Sequence, residues 1–134
     1  MILYCLDTNI ISYLLKGKYG IAERIKKELR NDNELVFNKI SYYEVLRGLK
    51  YIDNSQKIEQ FNQMCILFDF LELDNKTFEL AAEIYSKLRS EGTLIDDADL
   101  IIAANCIVNN AVLVTNNVKH FKRIASLRYV NWVN

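Results

Sequence analysis

The sequence predicts an α/β fold, with helices layered on a mainly parallel sheet. Extended apolar runs alternate with stretches of helical periodicity along the whole chain, the pattern of strand–helix–strand units. The first run, Ile2 to Leu6, is apolar at five successive positions, as in a strand buried on both faces. Two candidate strands end in polar clusters, Asp7-Thr8-Asn9 and Thr115-Asn116-Asn117. Ligands of open parallel sheets bind beyond the carboxyl ends of the strands, so both clusters belong on one edge with the functional cleft between them.

In chain order, Asp7, Thr8 or Asn9 caps a helix running through Leu15 and closed by Lys16 and Gly17. A second helix, Ile21 to Arg30, repeats Ile21, Ile25 and Leu29 at helical spacing. Leu35 to Ile40 reads as the next strand. It leads into a helix starting at Ser41, whose apolar stripe is Tyr42, Val45, Leu46, Leu49 and Ile52. Asp53-Asn54-Ser55 breaks that helix, and another from Gln56 to Phe68 completes a helical hairpin. Phe70 to Leu73 is a short strand, and Asn75 to Glu91 a helix stopped at Gly92. Asp96 opens a helix that is almost wholly apolar from Leu100 to Ala104 and must be buried. A strand over Ala111 to Val114, a short helix near His120 to Ile124 and an extended piece around Tyr129 to Val133 finish the chain, which we read as one domain over residues 1–134.

Composition narrows the function. Seventeen Lys plus Arg balance seventeen Asp plus Glu, which argues against a nucleic-acid coat or a membrane-surface protein held by bulk charge; any polyanion must meet a local patch. The apolar N-terminus is broken by Asp7 and Asn9 and lacks a basic leader, so it is neither a signal peptide nor a membrane span. Cys5, Cys65 and Cys106 are odd in number and embedded in apolar sequence, as reduced core residues of a cytoplasmic protein are. One His and no CxxC leave too few ligands for zinc, so a metal bound here would bind oxygen.

The carboxylates need a reason. Asp7 directly follows the first strand, where it serves either as a helix N-cap or as an acid at the mouth of the core. Glu44 stands three residues after Ser41 and fits a capping box. Asp99 shares its helix face with Ile102, Ala103 and Cys106, and Asp96 lies one turn earlier on nearly the same face. An ionised carboxylate buried without a partner costs several kcal/mol, and no Lys or Arg lies between Asp96 and Asn110. Two like charges ~4 Å apart repel by roughly 4 kcal/mol at an effective dielectric of ~20. A divalent cation reverses that sign, and with oxygen ligands Mg²⁺ and Mn²⁺ fit best. The chemistry that follows is metal-assisted attack of water on a phosphodiester. His120, in a polar segment before Phe121, reads as a surface or packing residue.

LDTNI at 6–10, SYYEVLRG around Glu44, DADLIIAA around Asp99, and LVTNN followed by HF at 113–121 resemble, in order and spacing, the acidic motifs of the PIN-domain ribonucleases. The VapC-like toxins of toxin–antitoxin pairs are the most similar group. The resemblance implies a three-layer α/β/α fold with a central, mainly parallel sheet of four to five strands and a protruding helical hairpin. It further implies an endoribonuclease dependent on Mg²⁺ or Mn²⁺, acting on tRNA or other structured RNA and neutralised by a cognate antitoxin. Asp7, Glu44 and Asp99 match the three core acidic, metal-binding positions; Asn9 and Thr115 match positions that orient them. Asn117 stands where many relatives carry a fourth acid, which implies a weakened second metal site that Asp96 partly compensates. Arg47, Lys16 and Lys18 are candidates for RNA contacts, with Lys39 and Lys50 further ones, and Gly48 lets a backbone approach. Tyr51 and Phe61, taken as exposed on the hairpin, suggest a homodimer. Two alternatives stay open: a catalytically weakened binding protein of the same fold, and a phosphohydrolase with Asp7 as nucleophile, for which the partner acid two residues on is Asn9.

Overall fold

The computed structural model describes residues 1–133. Five parallel strands, β1 (Leu3–Leu6), β2 (Glu34–Asn38), β3 (Asp69–Leu71), β4 (Val112–Val114) and β5 (Tyr129–Val130), form one sheet in the order β3-β2-β1-β4-β5. The central strand is therefore the first of the five in chain order. Leu6 lies opposite Phe37 on one side and Val114 on the other, so the ends of β1, β2 and β4 are level. The chain winds outward from β1 through β2 to β3 and then returns to the other side for β4, which opens a crevice at the carboxyl end of β1.

Among the described residues seven helices cover the sheet: α1 (Thr8–Lys16), α2 (Ile21–Arg30), α3 (Lys39–Tyr51), α4 (Ser55–Leu67), α5 (Asn75–Ser90), α6 (Asp97–Val108) and α7 (Val118–Phe121). Strand side chains alternate between two cores. Tyr4, Leu6, Leu35, Phe37 and Val114 pack with Ile10, Ile11, Ile21, Val45 and Phe61 of α1–α4. Cys5, Val36 and Leu113 pack on the opposite face with Leu88 of α5, Leu100, Ile102 and Ala103 of α6, and Phe121 of α7. Three layers result, and the helical hairpin is α3 with α4.

The structure corrects several boundaries. β2 ends at Asn38, whose side chain accepts a hydrogen bond from the Ile40 amide at 2.7 Å, so α3 begins at Lys39 rather than Ser41. The capping box over Ser41 and Glu44 does not form: Ser41 is buried within the first turn and its hydroxyl has no partner among the described residues. Phe61 is fully buried and stacks on Tyr42 with ring centroids 5.6 Å apart, so it is no exposed hairpin aromatic, whereas Tyr51 is 90% exposed. Leu29 is exposed on α2. Glu28 takes the buried position instead, because Arg24 and Asn33 hold its two carboxylate oxygens at 3.1 and 3.0 Å. The last helix starts at Val118, ahead of His120.

A buried polar chain ties β2 to the far helices. Asn38 Nδ2 donates to Asn105 Oδ1 at 2.6 Å, and Asn105 Nδ2 donates to the Glu72 carbonyl at 2.9 Å and Thr77 Oγ1 at 3.2 Å. Asn38, Thr77 and Asn105 are inaccessible to solvent, so these bonds replace hydration that the core cannot supply. The same Asn38 thus caps α3 and fixes its start relative to α6.

Candidate active site

The crevice at the end of β1 is built from five segments that the sheet brings level. Asp7 follows β1; its amide donates to the Val114 carbonyl at 2.9 Å, which continues the ladder, and its own carbonyl accepts the first α1 bond from Ile11. Its backbone is therefore the N-cap of α1, yet the carboxylate does not cap. Oδ2 instead accepts a 2.7 Å bond from Thr115 Oγ1, beyond the end of β4. Only 4% of Asp7 is exposed. Burial pushes its carboxyl up to about 6, against hydrogen bonds from Thr115 and the Thr8 amide, and repulsion from Asp99 and Glu44 adds to the rise.

Glu44 sits on α3, one turn past the helix start, and Oε1 accepts a 2.7 Å bond from Thr8 Oγ1 at the start of α1. Its Oε2 lies 3.8 Å from Arg47 Nη2 one turn on. The Arg47 guanidinium rests over the Tyr43 ring and stays 59% exposed, free to swing toward a ligand. Asp99 occupies the first turn of α6, above the buried Ile102, Ala103 and Cys106, as its helix face requires. Its Oδ2 lies 3.0 Å from His120 Nδ1. Each acid is thus held through one oxygen by a residue of another segment: Thr115, Thr8 and His120 respectively.

These acids line one cleft of about 410 Å³, together with Asp96, Asn117 and His120. Asp96 is the N-cap of α6 but its side chain makes no capping bond. Asn9 also lines the cleft and accepts from the Asn116 amide at 3.3 Å; the Asn117 amide donates to Thr115 Oγ1 at 2.9 Å. Asn9, Thr115 and Asn117 therefore lock the β1 and β4 ends together. Lys16 lines a neighbouring groove, whereas Lys18 and Lys50 line neither cavity. Lys39 rests over the Phe70 ring at 4.0 Å, turned to the β3 side of the hairpin. Sequence reasoning assigned His120 to the surface or to packing; it stands in the cleft because α7 begins at Val118 and Phe121 beside it is buried in the core. Its place beside an Asn three residues earlier is the one local signal. The sequence offers Thr8 as a helix cap, and its grip on Glu44 has no local signal.

Among the described residues no three His, Cys, Asp or Glu side chains stand close enough together to ligate one ion by themselves. The donor set still suits a hard divalent cation that keeps several waters, since one or two carboxylates are its usual direct share. Asp99 Oδ1 carries no hydrogen bond from the described residues. Burial of the Asp7 charge, with the smaller repulsion from Asp99 and Glu44, is what such an ion would relieve.

The PIN domain family matches residues 4–127 of the sequence. The chain belongs to the PIN-domain family. Ribonuclease VapC1 of Haemophilus influenzae (strain R2866) is similar, 36% identical over 132 residues that make up 97% of this chain and 98% of that protein. At 25% identity, the tRNA(fMet)-specific endonuclease VapC of Salmonella typhimurium aligns with 98% of this chain and 99% of its own length. Among solved structures, VapBC2 from Rickettsia felis, bound to a DNA fragment from their promoter, superposes with a TM-score of 0.90 and 28% identity over 98% of this chain and 99% of that one. The parallel sheet flanked by helices on both faces is the PIN fold, and this PIN domain carries its acids where β1, α3 and α6 converge. No helix among the described residues is long and apolar enough to cross a membrane.

Proposed function

We propose that this PIN-domain protein is a Mg²⁺- or Mn²⁺-dependent endoribonuclease toxin that cuts tRNA or other structured RNA and is neutralised by a cognate antitoxin. The observation that carries this reading is Asp7: a buried carboxylate raised to about 6, facing two more acids in one cleft. Such an arrangement is unfavourable to an empty protein and productive with a bound cation. When bound, the ion supplies acidification of water and neutralisation of the phosphate charge. The chain's residues do the placing. Thr115, Thr8 and His120 fix one oxygen of Asp7, Glu44 and Asp99, which leaves the other oxygens to the ion and its waters. Asp96 adds negative potential at the rim, and Asn117 supplies an amide where a further acid would strengthen a second ion. Arg47 and Lys16 lie beside the acids and meet the RNA backbone, with Lys18 further out on the same loop.

The RNA reading is supported by the names of the relatives, and tRNA by that of the Salmonella protein. A toxin–antitoxin role is supported by the similarity to VapBC2. A largely apolar groove of about 260 Å³ between α1 and the hairpin shares Thr8, Ser12 and Glu44 with the cleft, so an antitoxin segment seated there would reach the acids. The exposed Tyr51, Ile66 and Leu67 offer apolar surface for a second copy in a homodimer. The free thiols of Cys5, Cys65 and Cys106 suit the reducing cytoplasm. Asn117 favours one other reading, a PIN-fold binding protein with weak cleavage.

The test is cleavage of total tRNA by protein stripped of antitoxin, with RNA ends sequenced, for wild type, Asp7→Asn and Asp99→Asn. Discrete ends that need added Mg²⁺ or Mn²⁺ and vanish in both variants are expected. Equal cutting by either variant, or cutting in EDTA, overturns the nuclease reading; no cutting by any of them favours the binding protein.

A further inference from the structure

Tyr13 lines the acidic cleft on the α1 side, one turn after Asn9 on the same helix face. Its hydroxyl accepts a 3.2 Å bond from Asn116 Nδ2, and the Asn116 amide donates to Asn9 Oδ1, so the ring is fixed to the segment beyond β4 from which Thr115 holds Asp7. Past α1 the Lys18 amide donates to the Tyr13 carbonyl at 2.9 Å and the Gly17 amide to the Leu14 carbonyl at 3.2 Å, which turns the following loop back over Tyr13. Tyr19 then meets the Tyr13 ring edge to face, with centroids 4.7 Å apart and planes at 75°.

Two features of Tyr19 go beyond what that contact requires. Its side chain is 53% exposed at the rim of a cleft whose wall is Tyr13. Its backbone has φ 58, in the left-handed region that a bulky residue rarely occupies and that glycine adopts freely. A glycine would hold this turn with less strain, so the ring is what the position keeps. The loop Lys16-Gly17-Lys18-Tyr19-Gly20 also carries two exposed cations and no acid in a chain of zero net charge. It is a local patch of the kind that a polyanion must meet. Lys16 lines the groove that shares Thr8, Ser12 and Glu44 with the cleft, so the patch is continuous with the acids.

Cations for the backbone and an aromatic ring for the base are the combination by which proteins hold an unpaired nucleotide; a base inside a duplex has both faces covered by its neighbours. Resting on the RNA-nuclease reading above, we propose that Tyr19, backed by Tyr13, is a base-stacking platform at the rim of the cleft: it takes one unpaired nucleotide of the RNA, with Lys16 and Lys18 on the adjoining phosphates. The platform selects by strandedness rather than by sequence, since every base presents a π face. It narrows the substrate from structured RNA at large to the unpaired loops and ends of such RNA.

The experiment measures binding of short, fluorescently labelled RNAs to the full chain carrying Asp7→Asn, which leaves the RNA uncut, with Tyr19 intact and as Tyr19→Gly, Tyr19→Leu and Tyr19→Trp. Tyr19→Gly keeps the left-handed backbone and removes the ring. It is expected to weaken binding of a single strand on the order of 10-fold and to leave binding of the same sequence as a duplex unchanged, and Tyr19→Trp is expected to restore the single strand. A strand with one abasic nucleotide at the stacked position is expected to lose a similar factor against Tyr19 and little more against Tyr19→Gly, because the two changes remove one contact. Tyr19→Leu fills the loop without a π face and is expected to follow Tyr19→Gly. Unchanged affinity in Tyr19→Gly, additive losses with the abasic strand, an equal loss on the duplex, or a Tyr19→Leu protein that binds as tightly as Tyr19 overturns the platform. The nuclease reading survives each of these results if the chain with Asp7 cuts total tRNA; if that chain neither cuts nor binds RNA, both fall together.

Discussion

Thr115 Oγ1 and Asp7 Oδ2 are joined by a 2.7 Å hydrogen bond that links the two sides of the cleft across 108 residues of sequence. The hydroxyl is the largest influence lowering an acid that burial otherwise raises to about 6. Thr115→Val keeps the shape and removes the donor. The Asp7 carboxyl is expected to rise further, so the acid limb of the cleavage rate against pH moves to higher pH; a rise of roughly one unit lowers the rate about tenfold well below pH 6 and about twofold at pH 7. An unmoved acid limb in this variant would show that Asp7 does not set the pH dependence.

Asp7 also sets how the metal-free protein responds to pH. Its pKa is higher folded than the ordinary 3.8, so its contribution to stability is fully present below about 3.8 and is lost as pH rises through about 6. The loss amounts to about 3 kcal/mol for a shift of two units. In EDTA, Asp7→Asn is therefore expected to be more stable than wild type at neutral pH, with the difference shrinking toward pH 4. Denaturant melts at the two pH values check this. A variant no more stable at neutral pH contradicts the cost of burying the Asp7 charge.

Added Mg²⁺ or Mn²⁺ acts in the opposite direction. At a hundred times its dissociation constant, an ion that binds only the folded state adds about 2.7 kcal/mol, and wild type alone is expected to show that gain. Thermal melts of wild type and Asp99→Asn with and without each ion make the comparison. Equal shifts in both proteins would place the ion elsewhere.

The Asn38–Asn105 bond at 2.6 Å fixes α3, and with it Glu44, against α6. Asn105→Ala leaves Asn38 and Thr77 with unmet polar groups in a dry core and is expected to cost about 2–4 kcal/mol. Urea unfolding reads the loss. A cost under about 0.5 kcal/mol would mean that water or a rotated side chain replaces the network.

Hairpin aromatics separate by burial. Phe61→Ala removes a ring that is 0% exposed and is expected to cost about 3–5 kcal/mol, whereas Tyr51→Ser, at 90% exposure, stays within about 0.5 kcal/mol. Unfolding midpoints of the two variants distinguish them, and a large effect of Tyr51→Ser on a concentrated sample would instead report a second copy covering it.

Most of the architecture was legible because each signal was local. The apolar run at Ile2–Leu6, the periodicity of Ile21 and Ile25 and the stop at Gly17 depend on neighbours a few residues apart. Asp7, Glu44 and Asp99 were legible as acids in apolar or cap-like settings, and their common cleft followed from where parallel strands end. What stayed hidden depends on partners distant in sequence. Ser41 looked like a cap because the sequence does not reveal that Asn38, tied to Asn105, already serves. Phe61 looked exposed until Tyr42 and the α1–α4 core covered it. His120 looked peripheral because its tie to Asp99 spans 21 residues and needs α6 and α7 side by side.

The central strand of the sheet is the first of the five in chain order, and β4 flanks it on the side away from β2. A chain that stops before Val112 leaves Asp7 without the hydroxyl that holds it, β1 with one open edge, and the acids without the wall carrying Asn117 and His120. Nascent chains and truncated products therefore have no finished blade. The cell that translates this gene meets the assembled cleft only after residues 115–120, and the β5 strand that holds the Thr115 amide, have emerged.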